Sequence, residues 1–298
     1  MWKIVKIIFL GLGYLGYNLS KALNAKYDVE VWGIDSPYVK YTPWFKHVDV
    51  FDLALMLNKD LKDAIVIDTV SLVGNRTKSD NEKRFIDDLV FKYQGLFDVL
   101  KAKGVKRYIY FSSGGTIYGD CDLAISEKHI LNPKSLYGKS KKALEEALMD
   151  SGLDYVILRP SNPYGGFQVT KGQGVIPILI DKVLNDEAFD MYVDENSVRD
   201  YFYISDFADG LDKIIQSDIN KEIFNIGSGI PTSLRTVIDL VEKDCQKSLT
   251  VNKLQIDDTA VKSVVLDISK LKNMVGYEPK ISLQDGIRLE VERLERGI

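Results

Sequence analysis

Tyr137 and Lys141 stand four residues apart in the run YGKSK. The stretch that follows, KALEEALM, joins strong helix formers to apolar residues at helical spacing. On a helix, positions i and i+4 share one face, so the phenol and the ammonium would project together. A free tyrosine has a pKa of about 10 and is a poor base at neutral pH. A neighbouring cation favours the phenolate, and the pair can then take a proton from an alcohol or sugar hydroxyl. The spacing also fits an ordinary Tyr and Lys on a helix surface, so its weight comes from what precedes it.

The chain opens with the apolar, β-branched run Ile4–Leu10, the pattern of a buried parallel strand. Gly11, Gly13 and Gly16 follow in the spacing G-x-G-x-x-G, and a helical pattern comes next. Strand, glycine turn and helix start form the context in which this motif cradles a pyrophosphate. The glycines permit a tight turn and close backbone approach, and the helix N-terminus supplies N–H groups and a favourable dipole. A second apolar strand, Val29–Ile34, ends at Asp35, nineteen residues past Gly16. A carboxylate there suits the ribose of NAD and repels the 2′-phosphate of NADP. The expected cofactor is therefore NAD.

The elements needed to position these groups are legible as an alternation. His47–Val50 reads as a strand, Asp52–Asp60 as a helix, Ala64–Val70 as a strand and Asp80–Lys103 as a long helix ended by Gly104. Val105–Ser112 is a further strand, Lys134–Ser151 the helix bearing Tyr137, and Asp154–Leu158 another strand. Such alternation predicts a Rossmann-like α/β fold with a doubly wound parallel sheet, its ligands at the carboxyl ends of the strands. After Arg159 the regularity falls away. Residues 1–165 are expected to form the NAD-binding domain. Residues 166–298 are expected to form a smaller α/β substrate-binding part, with some segments returning to the main sheet.

Composition narrows the class. The chain has 298 residues and a net charge of −4, so no basic surface argues for nucleic acid. No apolar run reaches membrane-spanning length, and the first strand leads into the glycine turn without a small-residue cleavage site. The two cysteines, Cys121 and Cys245, point to a reducing, cytoplasmic setting without a disulfide framework. The two histidines, His47 and His129, stand apart from each other and from the cysteines, so no metal site is expected.

The full length resembles the NAD-dependent epimerase/dehydratase family of extended short-chain dehydrogenases/reductases, and within it most resembles the nucleotide-sugar 4-epimerases. Nine segments match in order: GLGYLG, VDVFD at 48–52, GVKRYIYFSSGGTIYG at 104–119, YGKSK, LRPSNPYG at 158–165, GVIP at 174–177, VRDYFYISDFADG at 198–210, FNIGSG at 224–229 and DISKLKNMVGYEPKISLQDGI at 267–287. The resemblance implies that Tyr137 is the acid/base and that Lys141 binds the nicotinamide ribose and lowers the tyrosine pKa. It implies that Tyr14 and Leu15 offer N–H groups to the pyrophosphate, Asp35 holds the adenosine ribose, and Asp49 and Val50 contact adenine. Asn162 and Arg199 would hold the diphosphate of a nucleotide-sugar substrate, which suits arginine's bidentate fork. Family members also pair as homodimers, here through the helices Asp80–Lys103 and Lys134–Ser151.

Four departures stand out against that pattern. Leu10 occupies the place of one further glycine. Gly114 occupies the place of the usual catalytic Ser or Thr, so the hydroxyl must come from Ser113, Thr116 or water, and the double glycine favours Thr116. The arginine often found before DISK is absent; Asp257 and Asp258 stand there, with Lys262 as a substitute cation. The segment DTVSLVG at 68–74 also lacks the small residues usual beside the cofactor. Gly115 and Thr116 replace the carboxylates that sugar-nucleotide dehydratases and decarboxylases need, and neither Cys121 nor His129 matches the 3,5-epimerizing reductases. The implied activity is a UDP-hexose type 4-epimerase. A reductase of 4-keto-6-deoxy nucleotide sugars is the rival, and an NAD-binding scaffold the third reading. Neither the sugar nor the base is fixed.

Overall fold

The apolar N-terminal run forms β1 (Lys6–Leu10), in a computed structural model that describes residues 5–74, 77–121, 124–168, 174–255 and 262–296. Ile7 and Phe9 pack on one face of the sheet and Ile8 and Leu10 on the other, which is why the run does not alternate with polar residues. The chain continues through α1 (Tyr14–Leu23), β2 (Asp28–Gly33), β3 (Phe45–His47), α2 (Leu53–Leu57), β4 (Ile65–Asp68), α3 (Glu82–Ala102), β5 (Arg107–Phe111), α4 (Gly114–Ile117), α5 (Leu136–Asp150) and β6 (Tyr155–Pro160). After β7 (Asn162–Tyr164) come α6 (Val175–Leu184), β8 (Phe189–Met191), β9 (Val198–Tyr203), α7 (Ile204–Gln216) and β10 (Glu222–Ile226). The remainder is β11 (Pro231–Ser233), α8 (Leu234–Cys245), β12 (Val251–Lys253), α9 (Ser269–Val275) and α10 (Leu283–Glu295).

Seven parallel strands form one sheet in the order β10-β6-β5-β4-β1-β2-β3. This is the expected Rossmann-like doubly wound sheet, with β10 returning to it from late in the chain. α1, α7 and α9 pack on one face, α3 and α5 on the other. Helices α6, α8 and α10 enclose a separate apolar cluster beside two small sheets, β11-β9-β7 and β8-β12. Among the described residues no helix is long and apolar enough to cross a membrane.

Two expected elements shift. The strand placed at His47–Val50 is β3, Phe45–His47. The chain leaves the sheet edge there because the Asp49 carboxylate accepts the Phe51 N–H at 3.0 Å and closes a turn. The helix placed at Asp52–Asp60 is the five-residue α2; Asp52 caps it by accepting from Leu55 N at 2.9 Å, and three-residue turns at Asn58 and Lys59 end it.

Two buried polar clusters lock the parts together. Glu145 on α5 receives both arms of Arg159 on β6, at 2.9 and 2.5 Å, with the side chains 1% and 3% exposed. The guanidinium also donates to the Tyr118 hydroxyl at 2.8 Å, and that hydroxyl donates to Asn225 on β10 at 2.7 Å. On the opposite face, Tyr14 donates to the Gly165 carbonyl at 2.6 Å, and Asn18 brackets the backbone of Phe167 at 2.9 Å. Glu290 on α10 then accepts from Gly166 N and Tyr203 at 2.9 Å and from Arg293 at 2.8 Å.

Removing one partner of a buried ion pair strands the other's charge. Glu145→Ala is expected to cost about 3–5 kcal/mol in denaturant unfolding, and Arg159→Met combined with Glu145→Leu to recover part of that loss. A cost below ~1 kcal/mol would show that the pair does not hold α5 to the sheet.

Candidate active site

The glycine turn is built as the spacing predicts. Gly11 has φ +91°, open to glycine and strained for other residues, and a Cβ on Gly16 would lie 2.3 Å from the Gly11 carbonyl oxygen and 2.8 Å from Thr69 Oγ1. α1 can therefore lie this close to β1 only with glycine at 16. Gly13 is the N-cap of α1 and brings no side-chain hydrogen bond, and a Cβ there would enter open space. The first-turn N–H groups of Tyr14 and Leu15 thus point toward an open cradle, as anion binding at a helix start requires. Leu10, at the place of the missing glycine, is buried in β1, and its carbonyl accepts from Thr69 N at 2.9 Å. Asp35 is exposed just past the end of β2. Asp49 is exposed and engaged in its own turn, while Val50 is 5% exposed.

On the other side of the sheet end, Ser135 caps α5 by accepting from Gly138 N at 3.1 Å. A Cβ on Gly138 would meet the Thr116 carbonyl oxygen at 2.9 Å, so this glycine lets α5 approach the 113–117 turn. Tyr137 is brought beside Ser113 in this way, and the Ser113 hydroxyl draws the phenol's pKa down against burial. Thr116 Oγ1 donates to Ser113 Oγ at 2.9 Å. The order is thus Thr116, Ser113, Tyr137. Ser113 is the hydroxyl that bears on the phenol, with Thr116 bonded behind it, and both line the same cavity. At Gly114 a Cβ would lie 2.6 Å from Leu266 Cδ1 and 2.9 Å from the Arg159 carbonyl oxygen, so no hydroxyl-bearing side chain fits there.

Lys141 is 7% exposed, and its ammonium donates to the Phe111 carbonyl at 2.7 Å, 5.7 Å from the Tyr137 ring centroid. Burial pushes this lysine down to about 8, against the fields of Asp68 and Glu145. The expected lowering of the Tyr137 pKa by Lys141 is not what this arrangement gives. Burial pushes the phenol up, and Ser113 pulls it down. The ammonium is turned to Phe111 instead.

A cavity of about 580 Å³ opens against these groups. Ser113, Thr116, Tyr137, Asn162 and Arg199 all line it, as does Leu15 from the cofactor helix. Asn162 donates to the Asp200 carbonyl at 3.0 Å, and β7 pairs with β9 so that Asn162 lies opposite Tyr201, two residues past Arg199. Arg199 donates to the carbonyls of Val198 at 2.9 Å and Lys262 at 3.2 Å, and burial lowers its pKa. Lys262 is exposed and meets the site through that carbonyl, not as a substitute ammonium. Asp257 and Asp258 lie outside the described residues. The second cation on the cavity wall is Lys134, paired with Asp120 at 2.5 Å, which the sequence reading missed. Its position three residues before Tyr137 was the available signal.

The profile described as the NAD dependent epimerase/dehydratase family matches residues 8–227. A dTDP-4-dehydro-6-deoxyglucose reductase of Escherichia coli is 35% identical over 196 residues, 64% of this chain and 62% of that protein. A UDP-glucuronate 4-epimerase of Thermodesulfobacterium geofontis is 25% identical across 100% of this chain and 93% of its own length. Among solved structures, the UDP-glucose 4-epimerase of Thermus thermophilus in complex with NAD superposes with a TM-score of 0.87 at 25% identity, covering 99% of this chain and 100% of that one.

The hydroxyl order has a direct readout. Ser113→Ala is expected to raise the midpoint of the Tyr137 phenol, read as phenolate absorbance against a matched Tyr137→Phe variant, and to cut turnover on the order of 10²-fold. Thr116→Ala is expected to move both less. The reverse ranking would return the role to Thr116.

Proposed function

Because the chain belongs to the NAD dependent epimerase/dehydratase family, we propose that it is a nucleotide-sugar 4-epimerase of the UDP-hexose type that uses NAD. The observation that carries this reading is one cavity in which Tyr137, Ser113, Asn162 and Arg199 meet beside the glycine turn, with no carboxylate at positions 115 and 116. The glycine turn fits NAD: its helix start is uncapped, and Gly13 leaves the space that a pyrophosphate needs. In this proposal Gly11, Gly13, Gly16 and the N–H groups of Tyr14 and Leu15 hold the pyrophosphate. Asp35 holds the adenosine ribose, Asp49 and Val50 border the adenine, and Lys141 takes the nicotinamide ribose.

Bound NAD supplies a hydride acceptor that returns the hydride within the same turnover. As the phenolate, Tyr137 removes the proton of the C4 hydroxyl and becomes the neutral phenol, and Ser113 favours that phenolate by donating to its oxygen before the transfer. Arg199 and Asn162 retain the diphosphate while the ketone turns its other face, and Tyr137 returns the proton. Retention of the ketone beside its reductant supplies proximity without a second substrate. The carboxylate pair that dehydration at C5 and C6 calls for has no counterpart in Gly115 and Thr116. Residues 166–298 form the substrate part in this reading, and two copies pair through α3 and α5, where Phe91 is 79% exposed.

A second reading rests on the 35% identity to the Escherichia coli reductase: hydride delivered to a 4-keto-6-deoxy nucleotide sugar from exchangeable NAD(P)H. Proton NMR of the purified protein with UDP-hexoses and UDP-uronates and a trace of NAD separates the two. Inversion at C4 without net NADH is the expected result, with NAD binding more tightly than NADP. Consumption of NAD(P)H on a 4-keto substrate, with no inversion, would replace the epimerase by the reductase.

A further inference from the structure

Behind the catalytic helix lies a buried carboxylate that the proposed reaction does not use. Asp68 ends β4 and is 1% exposed. Its oxygens accept from the Tyr108 hydroxyl at 2.6 Å and from Val70 N at 2.8 Å, and the Tyr93 hydroxyl on α3 helps to lower its pKa. Burial raises the pKa of this carboxyl, and the donors around it, which suit the ionised, acceptor-only form, oppose that push. Yet among the described residues no cation is in direct contact with it, and a buried charge without a counter-charge is costly.

The register of the sheet shows where the counter-charge is. Asp68 lies directly opposite Tyr110 on β5. The Lys141 ammonium sits 4.8 Å from the Tyr110 ring centroid and bonds the next carbonyl on that strand, Phe111. The Tyr110 hydroxyl is buried and makes no hydrogen bond. Lys141 faces Asp68 from β4, Tyr110 from β5, and Tyr137 and Glu145 from its own helix, and it lines a small cleft with Tyr93 of α3. Glu145 is already neutralised by both arms of Arg159 on β6. Asp68 is thus the carboxylate left to balance the lysine.

We propose that Asp68 is the counter-ion of Lys141, a positioning residue that keeps the ammonium charged within the sheet one helical turn from Tyr137. It acts at a distance, through the aromatic layer of Tyr93, Tyr108 and Tyr110, and touches neither substrate nor cofactor. This role rests on the reading of Tyr137 and Lys141 as the reacting pair, but its physical content does not need that reading to hold.

Burial already pushes Lys141 down to about 8 and Asp68 opposes that push, so removing the carboxylate lets the ammonium lose its proton at lower pH. The test is a titration of the Lys141 Nζ resonance in protein carrying labelled lysine side chains, assigned by its loss in Lys141→Met. Asp68→Asn keeps an oxygen acceptor for Val70 N, sets an amide NH2 beside the Tyr108 hydroxyl, which can turn to accept from it, and deletes the charge. Its Lys141 midpoint is expected to fall by a unit or more, and the alkaline limb of kcat/KM to move down with it. A residue that only anchors Tyr108 would lower thermal stability and leave the midpoint in place, and that result overturns the proposal. If Asp68→Asn does not fold, Asp68→Glu serves, since it moves the charge by one methylene. A displaced Lys141 midpoint supports the role, and an unmoved one refutes it. A shifted midpoint in a protein that inverts no sugar would keep the counter-ion and remove the epimerase, so the two can fail separately.

Discussion

The buried pair Glu145–Arg159 is the constraint from which the site takes its geometry. Tyr137, Lys141 and Glu145 follow one another at i, i+4 and i+8, so they share one face of α5. Fixing the last of them to β6 fixes the rotation and height of the first two. The same guanidinium holds Tyr118, which closes the turn carrying Ser113, and through Tyr118 it holds Asn225 on the strand that returns from the C-terminal part. Two walls of the cavity, α5 and the turn carrying Ser113, are thereby indexed to one cation, together with the strand β10. A buried ion pair contributes little net stability over an apolar replacement, because both charges lose their water. Its value here is that it permits one arrangement.

The glycine turn and the Tyr–Lys helix were legible because they are local. A steric requirement at Gly16, a cap at Ser135 and a four-residue spacing are each written within a dozen residues. The edge strand β3 was misplaced because three residues carry too little pattern, and because the Asp49 turn that ends it looks in sequence like part of a strand. The choice between Ser113 and Thr116 was not legible. It depends on how the short helix α4 turns against Leu266, which lies far away in the chain. Lys134 was visible at helical spacing, but a charged residue ahead of a helix reads as surface until a cavity is seen beside it. Asp68 was hidden for a related reason: an acid at a strand end reads as the start of a turn, and its burial depends on tyrosines from two other elements.

The two ends of the sheet opening are held differently. On the catalytic side the ties are ionic and fully buried. On the glycine side, α1 is tied by neutral bonds to the backbone of Gly165 and Phe167, and Glu290 gathers that segment to α10. The helix whose first turn would meet a pyrophosphate is therefore in direct contact with residues 165–167, which follow directly on β7.

Gly114 has a consequence for what changes this chain can accept. Leu266 fills the volume that a hydroxyl at 114 would need, and the Arg159 carbonyl behind it belongs to a strand pinned by the ion pair. Shortening Leu266 alone opens a void, and adding a side chain at 114 alone creates a clash. Each single step runs uphill, and the double change still sets a Cβ at 114 within 2.9 Å of the Arg159 carbonyl oxygen. The two positions are bound together by packing, so what can stand at 114 is decided by a residue 152 positions further along the chain.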